Sequence, residues 1–109
     1  MVTRRPARYR RLMITLHIEH PITDYGTWRA AFDAFDQARR GAGVIGERIA
    51  RPVDDPCYIV VALDFESTER AAAFRQFLET QVWSSPAASP GLNGQPKTSI
   101  LESAPSPAR

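Results

Sequence analysis

The chain has 109 residues, 43% of them hydrophobic and 24% charged, with a formal net charge of +2. These values predict one globular domain without a second. The longest unbroken apolar stretch, residues 59–63, is far short of the roughly 20 residues that span a bilayer. We therefore expect no membrane association and a cytoplasmic location. Cys57 is the only cysteine, so no internal disulfide can form, and its apolar surroundings predict a buried, inert thiol.

The basic charge is concentrated at the start of the chain. Five of the 14 basic residues, all arginines, precede Met13. A basic arm can bind phosphate backbones without sequence specificity, but this one has little aromatic interleaving and no basic stripe continues beyond it. We expect residues 1–12 to be a disordered tail and expect no nucleic-acid partner.

The next part of the chain predicts a strand followed by an amphipathic helix. Apolar and polar side chains alternate over residues 12–20, which indicates a strand with one apolar face, and Pro21 should end it. Asp24 is placed to cap a helix over residues 25–40, whose apolar side chains follow a 3.6-residue period. Gly41 supplies the stop signal.

Two further strands follow as a hairpin. The first covers residues 44–51, and a turn rich in proline and aspartate leads to the second at residues 57–65. The second strand is the most apolar segment of the chain, so we expect it in the centre of the sheet.

The final third predicts a helix, a long loop and a short strand. Ser67 can cap a helix that continues to Val82. Residues 84–97 are rich in proline and glycine, and a loop of that length is typically functional or mobile. A strand at residues 98–102 closes the domain, which therefore covers residues 13–102, before a tail at 103–109 that we expect to be disordered.

The resulting order of elements, βαββαβ, indicates a ferredoxin-like α+β fold with a four-stranded antiparallel sheet and two helices on one face. The other face would carry Met13, Thr15, Val60 and Ala62, which are not polar enough for water. A second copy could cover that face by sheet-on-sheet packing. We therefore predict a homodimer; a monomer with a partly wet face is the alternative, because Glu47 and Arg48 lie on strand two.

A family resemblance lies in the segment that starts at His20 and reads HPITDYGTW, followed by Phe32-Asp33 and by residues 39–43, RRGAG. This pattern resembles that of small dimeric α/β-barrel proteins related to the antibiotic-biosynthesis monooxygenases, many of them uncharacterised. The similarity runs from Met13 to about Glu102. It implies a pocket between sheet and helices. Members include cofactor-independent oxygenases that act on polycyclic aromatics, haem-degrading enzymes and proteins without a known reaction.

Three residues are candidates for lining such a pocket: His20, Trp28 and Trp83. His20 could serve as a neutral acid or base or could bond the start of helix one. Trp28 lies on the apolar helix stripe, where core packing competes with ligand stacking, and Trp83 ends helix two beside the long loop. Arg39 could neutralise an acidic ligand, although such arginines usually occupy solvated faces or weak surface ion pairs.

No catalytic constellation emerges from the sequence. Phosphate-binding loops, nucleophile elbows and paired-cysteine spacings are absent. His17 and His20 lie on opposite faces of strand one, so no metal site is expected, and we expect no cofactor. Two hypotheses therefore stand. The favoured one is a non-catalytic module that binds a small apolar or aromatic ligand or a partner; the alternative is a cofactor-independent monooxygenase-like enzyme acting on a small aromatic metabolite.

Overall fold

The computed structural model describes residues 13–104. The predicted tail at 1–12 and the last part of the predicted tail, residues 105–109, lie outside the described residues. The elements in chain order are β1 Ile14–Pro21, α1 Tyr25–Ala34, α2 Asp36–Gly41, β2 Gly46–Ala50, β3 Tyr58–Phe65, α3 Thr68–Phe77, a π-helical turn Leu78–Val82 and β4 Lys97–Glu102.

The four strands form one antiparallel sheet in the order β2-β3-β1-β4. Residues 14–19 of β1 have a partner on both sides, whereas His20 and Pro21 pair with β3 alone; Leu16, for example, pairs with Leu63 and with Ile100. The ferredoxin-like α+β fold and the central position of β3 are therefore confirmed. The period of two along β1 is visible in its burial, which alternates from Ile14 to Pro21 because one face lies under the helices.

The core lies between the sheet and the helices. Its largest fully buried side chains lie on the two central strands or directly after β1: Leu16, Ile22, Ile59, Leu63 and Phe65. Burial of a side chain of this size stabilises the fold by about 1.5–3 kcal/mol. The apolar faces of β1 and β3 thus account for most of the driving force that holds the helices against the sheet.

Both predicted helix starts are as the sequence indicates. Asp24 accepts a hydrogen bond from the Thr27 backbone N–H, and Ser67 accepts one from the Arg70 N–H. Each cap has extended backbone dihedrals and satisfies an N–H that the first turn leaves without a partner.

The first helix differs from the prediction because it breaks at Phe35. The backbone there has φ −98° and ψ 17°, and its N–H bonds back to Phe32 instead of continuing the helical ladder. The Phe35 ring packs edge-on against Phe77, with 6.4 Å between ring centroids. The 3.6-residue period survives the break, since the next helix continues the same apolar stripe, which is why the sequence pattern does not reveal it.

The second helix also differs from the prediction in its last turn. The α-helix ends at Phe77, and residues 78–82 form a π-helical turn that is closed by a bond of 2.7 Å from the Trp83 N–H to the Leu78 carbonyl. The wider turn admits one extra residue. It brings Leu78, Val82 and Trp83 together beneath the following loop.

Cys57 is the clearest error of the sequence analysis. Its thiol is exposed, because Cys57 precedes β3 and lies in the turn instead of in the apolar strand. Pro21 is likewise the last residue of β1, one residue beyond the predicted end, where it pairs with Tyr58.

Candidate functional site

A cavity of about 80 Å³ lies between the sheet and the helices. The central strands form its floor. The helices α1, α2 and α3 and the π-helical turn form its walls, and the loop before β4 forms its rim. The lining residues of the sheet are Ile18, His20, Val61 and Leu63; those of the helices and the π-helical turn include Trp28, Phe32, Phe35, Phe74, Phe77 and Val82; those of the loop are Ala88, Ser89, Pro90 and Leu92. Aromatic rings therefore dominate the wall.

The three residues that the sequence singles out all line this one cavity. His20 is 3% exposed and Trp28 is 8% exposed, whereas Trp83 is half-buried. The rings of His20 and Trp83 meet edge to face, with 6.5 Å between centroids. Trp28 stacks on Phe32 at 4.9 Å, so it belongs to the core and lines the cavity as well.

His20 is held in one orientation by its own strand end. Its Nδ1 lies 2.8 Å from the Pro21 carbonyl oxygen. Burial lowers the pKa of His20 from its ordinary value of 6.5, while the hydrogen bond to Pro21 acts in the opposite direction. The imidazole is therefore neutral at physiological pH.

Arg39 is a buried cation on the cavity wall, contrary to the expectation of a solvated side chain. Its Nε donates to Glu47 and its Nη1 donates to the Phe32 carbonyl, while the guanidinium lies 3.6 Å from the centre of the Phe32 ring. Its Nη2 lies 3.6 Å from an Asp36 oxygen. At the break, the Phe32 carbonyl accepts one hydrogen bond from the Phe35 N–H and a second from Arg39. These contacts with Glu47, the Phe32 carbonyl and the Phe32 ring accompany the burial of a charged residue that is only 3% exposed.

The loop that rims the cavity is attached to the start of α1. Ile22 and Leu92 form an isolated antiparallel bridge, and the Thr23 N–H donates to the Gly91 carbonyl at 2.9 Å. Gly91 has φ +92°, and a Cβ there would lie 3.0 Å from the Trp28 backbone nitrogen. Glycine is therefore required at this position both by backbone conformation and by close packing.

The sequence did not single out several lining residues, among them Phe35 and Phe77, and it named Arg39 without indicating that it is buried. Phe35 and Phe77 lie on the predicted apolar stripes, so their inward direction was foreseeable. The position of Arg39 was not, because it depends on a helix break that no residue in the sequence signals. The loop residues that close the rim were also missed, since loop residues have no periodicity to follow.

The open face of the sheet combines an apolar centre with polar clusters at its two ends. Half-buried Val60 and Ala62 occupy the centre of β3. At one end Glu19 forms a hydrogen bond with His17 and accepts one from the Tyr58 hydroxyl, and these two contacts, in that order, lower the pKa of Glu19.

At the other end of the open face Asp64 pairs with Arg48 at 2.7 and 3.0 Å and accepts a hydrogen bond from Thr15. The hydrogen bond from Arg48 is the main cause of the lowered pKa of Asp64. The Arg48 side chain is 61% exposed, whereas that of Asp64 is 10% exposed. Both clusters satisfy their polar groups within one protomer.

Residues 13–104 contain no group of three or more histidine, cysteine, aspartate or glutamate side chains placed to hold a metal ion. Within the same part of the chain, no helix has the length and apolar character required to cross a bilayer.

The sheet, the helices and the cavity define the class of the protein at the level of the fold: a ferredoxin-like α+β domain. Among solved structures, the chain is similar to a monooxygenase of Streptomyces coelicolor, the product of ActVA-Orf6, solved with the ligand nanaomycin D. The identity is 15%, the TM-score is 0.60, and the match covers 96% of this chain and 99% of that one.

Two further solved structures share the fold. A dimeric ferredoxin-like protein from an uncultured marine organism is 10% identical with a TM-score of 0.57, and the match covers 84% of this chain and 95% of that one. A protein of Nitrosomonas europaea with the provisional name antibiotic biosynthesis monooxygenase is 17% identical with a TM-score of 0.56, with coverages of 84% and 89%. No family model and no curated relative matches the sequence. The structural resemblance expected from the segment after His20 is thus confirmed at the level of the fold.

Proposed function

We propose that the chain forms a cytoplasmic homodimer that binds a small aromatic molecule in the cavity beneath its helices, without catalysing a reaction. The observation that carries this proposal is the aromatic wall around a cavity with few polar groups, which is the usual character of a small-molecule site. Here His20, Trp28 and Trp83 are ligand-contacting residues.

The size of the cavity limits the ligand. Its volume of about 80 Å³ is roughly half that of an engineered cavity of about 150 Å³ that binds benzene. One small ring is therefore the largest group that enters without movement of the wall. A larger ligand would place one ring inside and leave the remainder between Trp83 and the loop at Pro90.

The dimer is part of the same proposal because the open sheet face has an apolar centre. Val60 and Ala62 are half-buried in the single chain, and a second copy packed on them would remove their remaining area from water. A solved structure with this fold is described as a dimeric ferredoxin-like protein, which supports an assembly of this kind for the present chain.

Two matched alanines on α1 provide the test of ligand binding. Ala31 lines the cavity, whereas its neighbour Ala30 is exposed. Toluene, used as the probe, should bind the unmodified protein and Ala30→Leu with the same affinity in a ligand-detected NMR titration. Ala31→Leu fills the cavity and should weaken binding at least tenfold. Equal binding to all three proteins, or none to any, would contradict the proposal.

The monooxygenase alternative gives a different result in a second assay. A non-catalytic module consumes no oxygen when a dihydroxylated aromatic is added in a sealed oxygen-electrode cell. If oxygen uptake depends on the protein and disappears in Ala31→Leu, the cavity is the site of a reaction, and the monooxygenase alternative replaces the non-catalytic proposal.

A further inference from the structure

One nitrogen of His20 has a partner among the described residues and the other has none. The Nδ1 atom lies 2.8 Å from the Pro21 carbonyl oxygen. A carbonyl oxygen can only accept, so the proton of the imidazole must lie on Nδ1. The Pro21 carbonyl also accepts from the Asn93 N–H at 3.1 Å, which keeps the oxygen and the ring edge in fixed positions.

The tautomer leaves Nε2 as a hydrogen-bond acceptor. His20 is 3% exposed, and among residues 13–104 its one hydrogen bond is the contact at Nδ1, so Nε2 makes none. Because Nδ1 is directed at the backbone, Nε2 is the nitrogen available to the cavity that His20 lines. An acceptor buried in this way, without a partner, is unusual in native proteins and requires an explanation.

The other polar side chains on the wall do not supply that partner. Ser89 directs its hydroxyl at the Ser85 carbonyl at 2.8 Å, and all three guanidinium nitrogens of Arg39 face acceptors of the protein. Neither residue competes for the lone pair of His20. The two indole N–H groups on the wall are donors for which the described residues provide no hydrogen-bond partner.

We propose that Nε2 of His20 is a specificity-determining acceptor, which selects small aromatic ligands that carry an O–H or N–H donor over ligands of equal size that lack one. This inference rests on the proposed binding function and adds the chemistry of the ligand group that must face β1. The chemical class is a ring with a hydroxyl or amine substituent. An ether or a carbonyl at the same position would leave Nε2 without a partner.

The tautomer can be read directly in the unmodified protein. Long-range ¹H–¹⁵N correlation NMR distinguishes a protonated from an unprotonated imidazole nitrogen, and His17→Gln assigns the signals, since the chain has two histidines. We expect Nε2 of His20 to be unprotonated and to shift upfield when phenol is added. A proton on Nε2 would overturn the inference irrespective of ligand binding.

Affinity for two probes of equal size isolates the role of His20. Phenol and toluene are titrated into the unmodified protein and into His20→Leu, in which the Pro21 carbonyl retains its bond to Asn93. The ratio of the two dissociation constants should move about tenfold against phenol in the variant, because a hydrogen bond of typical net strength is lost. The indole donors are common to both proteins and cancel in this comparison.

The possible outcomes distinguish a failure of the inference about His20 from a failure of the proposed binding function. If toluene binds and the ratio is the same in both proteins, the cavity binds ligands but His20 does not select them. If neither probe binds the unmodified protein, the proposed function fails as well. If His20→Leu does not fold, phenol and anisole are compared in the unmodified protein instead. Anisole can only accept a hydrogen bond, so phenol must bind more tightly than anisole, and equal affinities contradict the inference.

Discussion

At the scale of single residues, Arg39 shows how a local backbone defect determines the position of a charge. It satisfies the Phe32 carbonyl at the helix break and pairs with Glu47 while it covers the Phe32 ring. Removing one partner of a buried ion pair leaves the charge of the other partner without an opposite charge beside it. This lowers the free energy of unfolding much more than the loss of an exposed ion pair does.

Neighbouring arginines therefore make a matched pair of variants. Arg39→Ala should lower the free energy of unfolding by about 3 kcal/mol. Arg40→Ala should lower it by no more than ~0.5 kcal/mol, because the Arg40 side chain is 76% exposed. Urea denaturation of the two variants tests this, and equal losses would show that burial of Arg39 contributes nothing.

The buried His20 makes stability depend on pH in a defined direction. Its pKa is lowered in the folded state by burial, so the unfolded chain binds the proton more tightly. The stability is complete above about pH 6.5, the value of an unperturbed histidine, and is lost as the pH falls from there through the lowered folded pKa.

Removing the imidazole should remove this dependence. In urea denaturation between pH 5 and 8, the midpoint of the unmodified protein should fall on acidification, whereas that of His20→Gln should fall less. His17→Gln serves as the control and should retain the decline. Parallel curves for the unmodified protein and His20→Gln would contradict the assignment of a buried neutral imidazole.

At the scale of elements, the sequence predicts regular structure well where one physical signal dominates. The alternation along β1 and the caps at Asp24 and Ser67 are local, and the structure follows them. The break at Phe35 and the π-helical turn at residues 78–82 are not local. They lie next to the contact between Phe35 and Phe77, and neither position carries a proline or a glycine that would mark an interruption in the sequence.

The candidate site likewise has a part that local sequence signals predict and a part that depends on contacts between distant segments. His20, Trp28 and Trp83 stand out in the sequence because rare aromatic and titratable types lie at element ends or on an apolar stripe. The cavity they share could not be read from the sequence, since it requires the loop at residues 86–92 to fold back on α1. That contact depends on Gly91, whose need for a positive φ becomes apparent only once the loop is seen against Trp28.

Gly91 provides a prediction at this scale. Gly91→Ala introduces strain from φ +92° and a close contact with the Trp28 backbone, so it should cost about 1–3 kcal/mol and speed hydrogen exchange across the rim of the cavity. Gly41→Ala is the control, because it ends a helix and has open space around it. It should be neutral or slightly stabilising. Similar exchange in both variants would show that Gly91 does not hold the loop in place.

At the scale of the whole molecule, the open sheet face is the surface on which we propose that a second copy packs. Ala62 lies near its centre, opposite His17 in the register of β1 and β3. A carboxylate at this position would be taken out of water between two packed sheets, and an ion pair with its cross-strand neighbour Arg48 would not repay that desolvation. Ala62→Glu should therefore convert the proposed dimer to a monomer in light scattering coupled to size-exclusion chromatography.

The matched control for the assembly is Ala30→Glu, which changes an exposed alanine on α1. It should leave the dimer intact at the same concentration. A monomer for the unmodified protein, or a dimer that both substitutions leave unchanged, would contradict an interface on the sheet.

The most direct test of the aromatic cavity uses the two tryptophans of the chain, since both line it. A ¹H–¹⁵N correlation spectrum therefore shows two indole signals, and each reports on the cavity. On addition of toluene, both signals should shift and saturate in the unmodified protein and in Ala30→Leu, whereas in Ala31→Leu the same shifts should need at least ten times more toluene. Signals that remain in place in the unmodified protein, or that shift equally in Ala31→Leu, would contradict the account of a ligand-binding cavity.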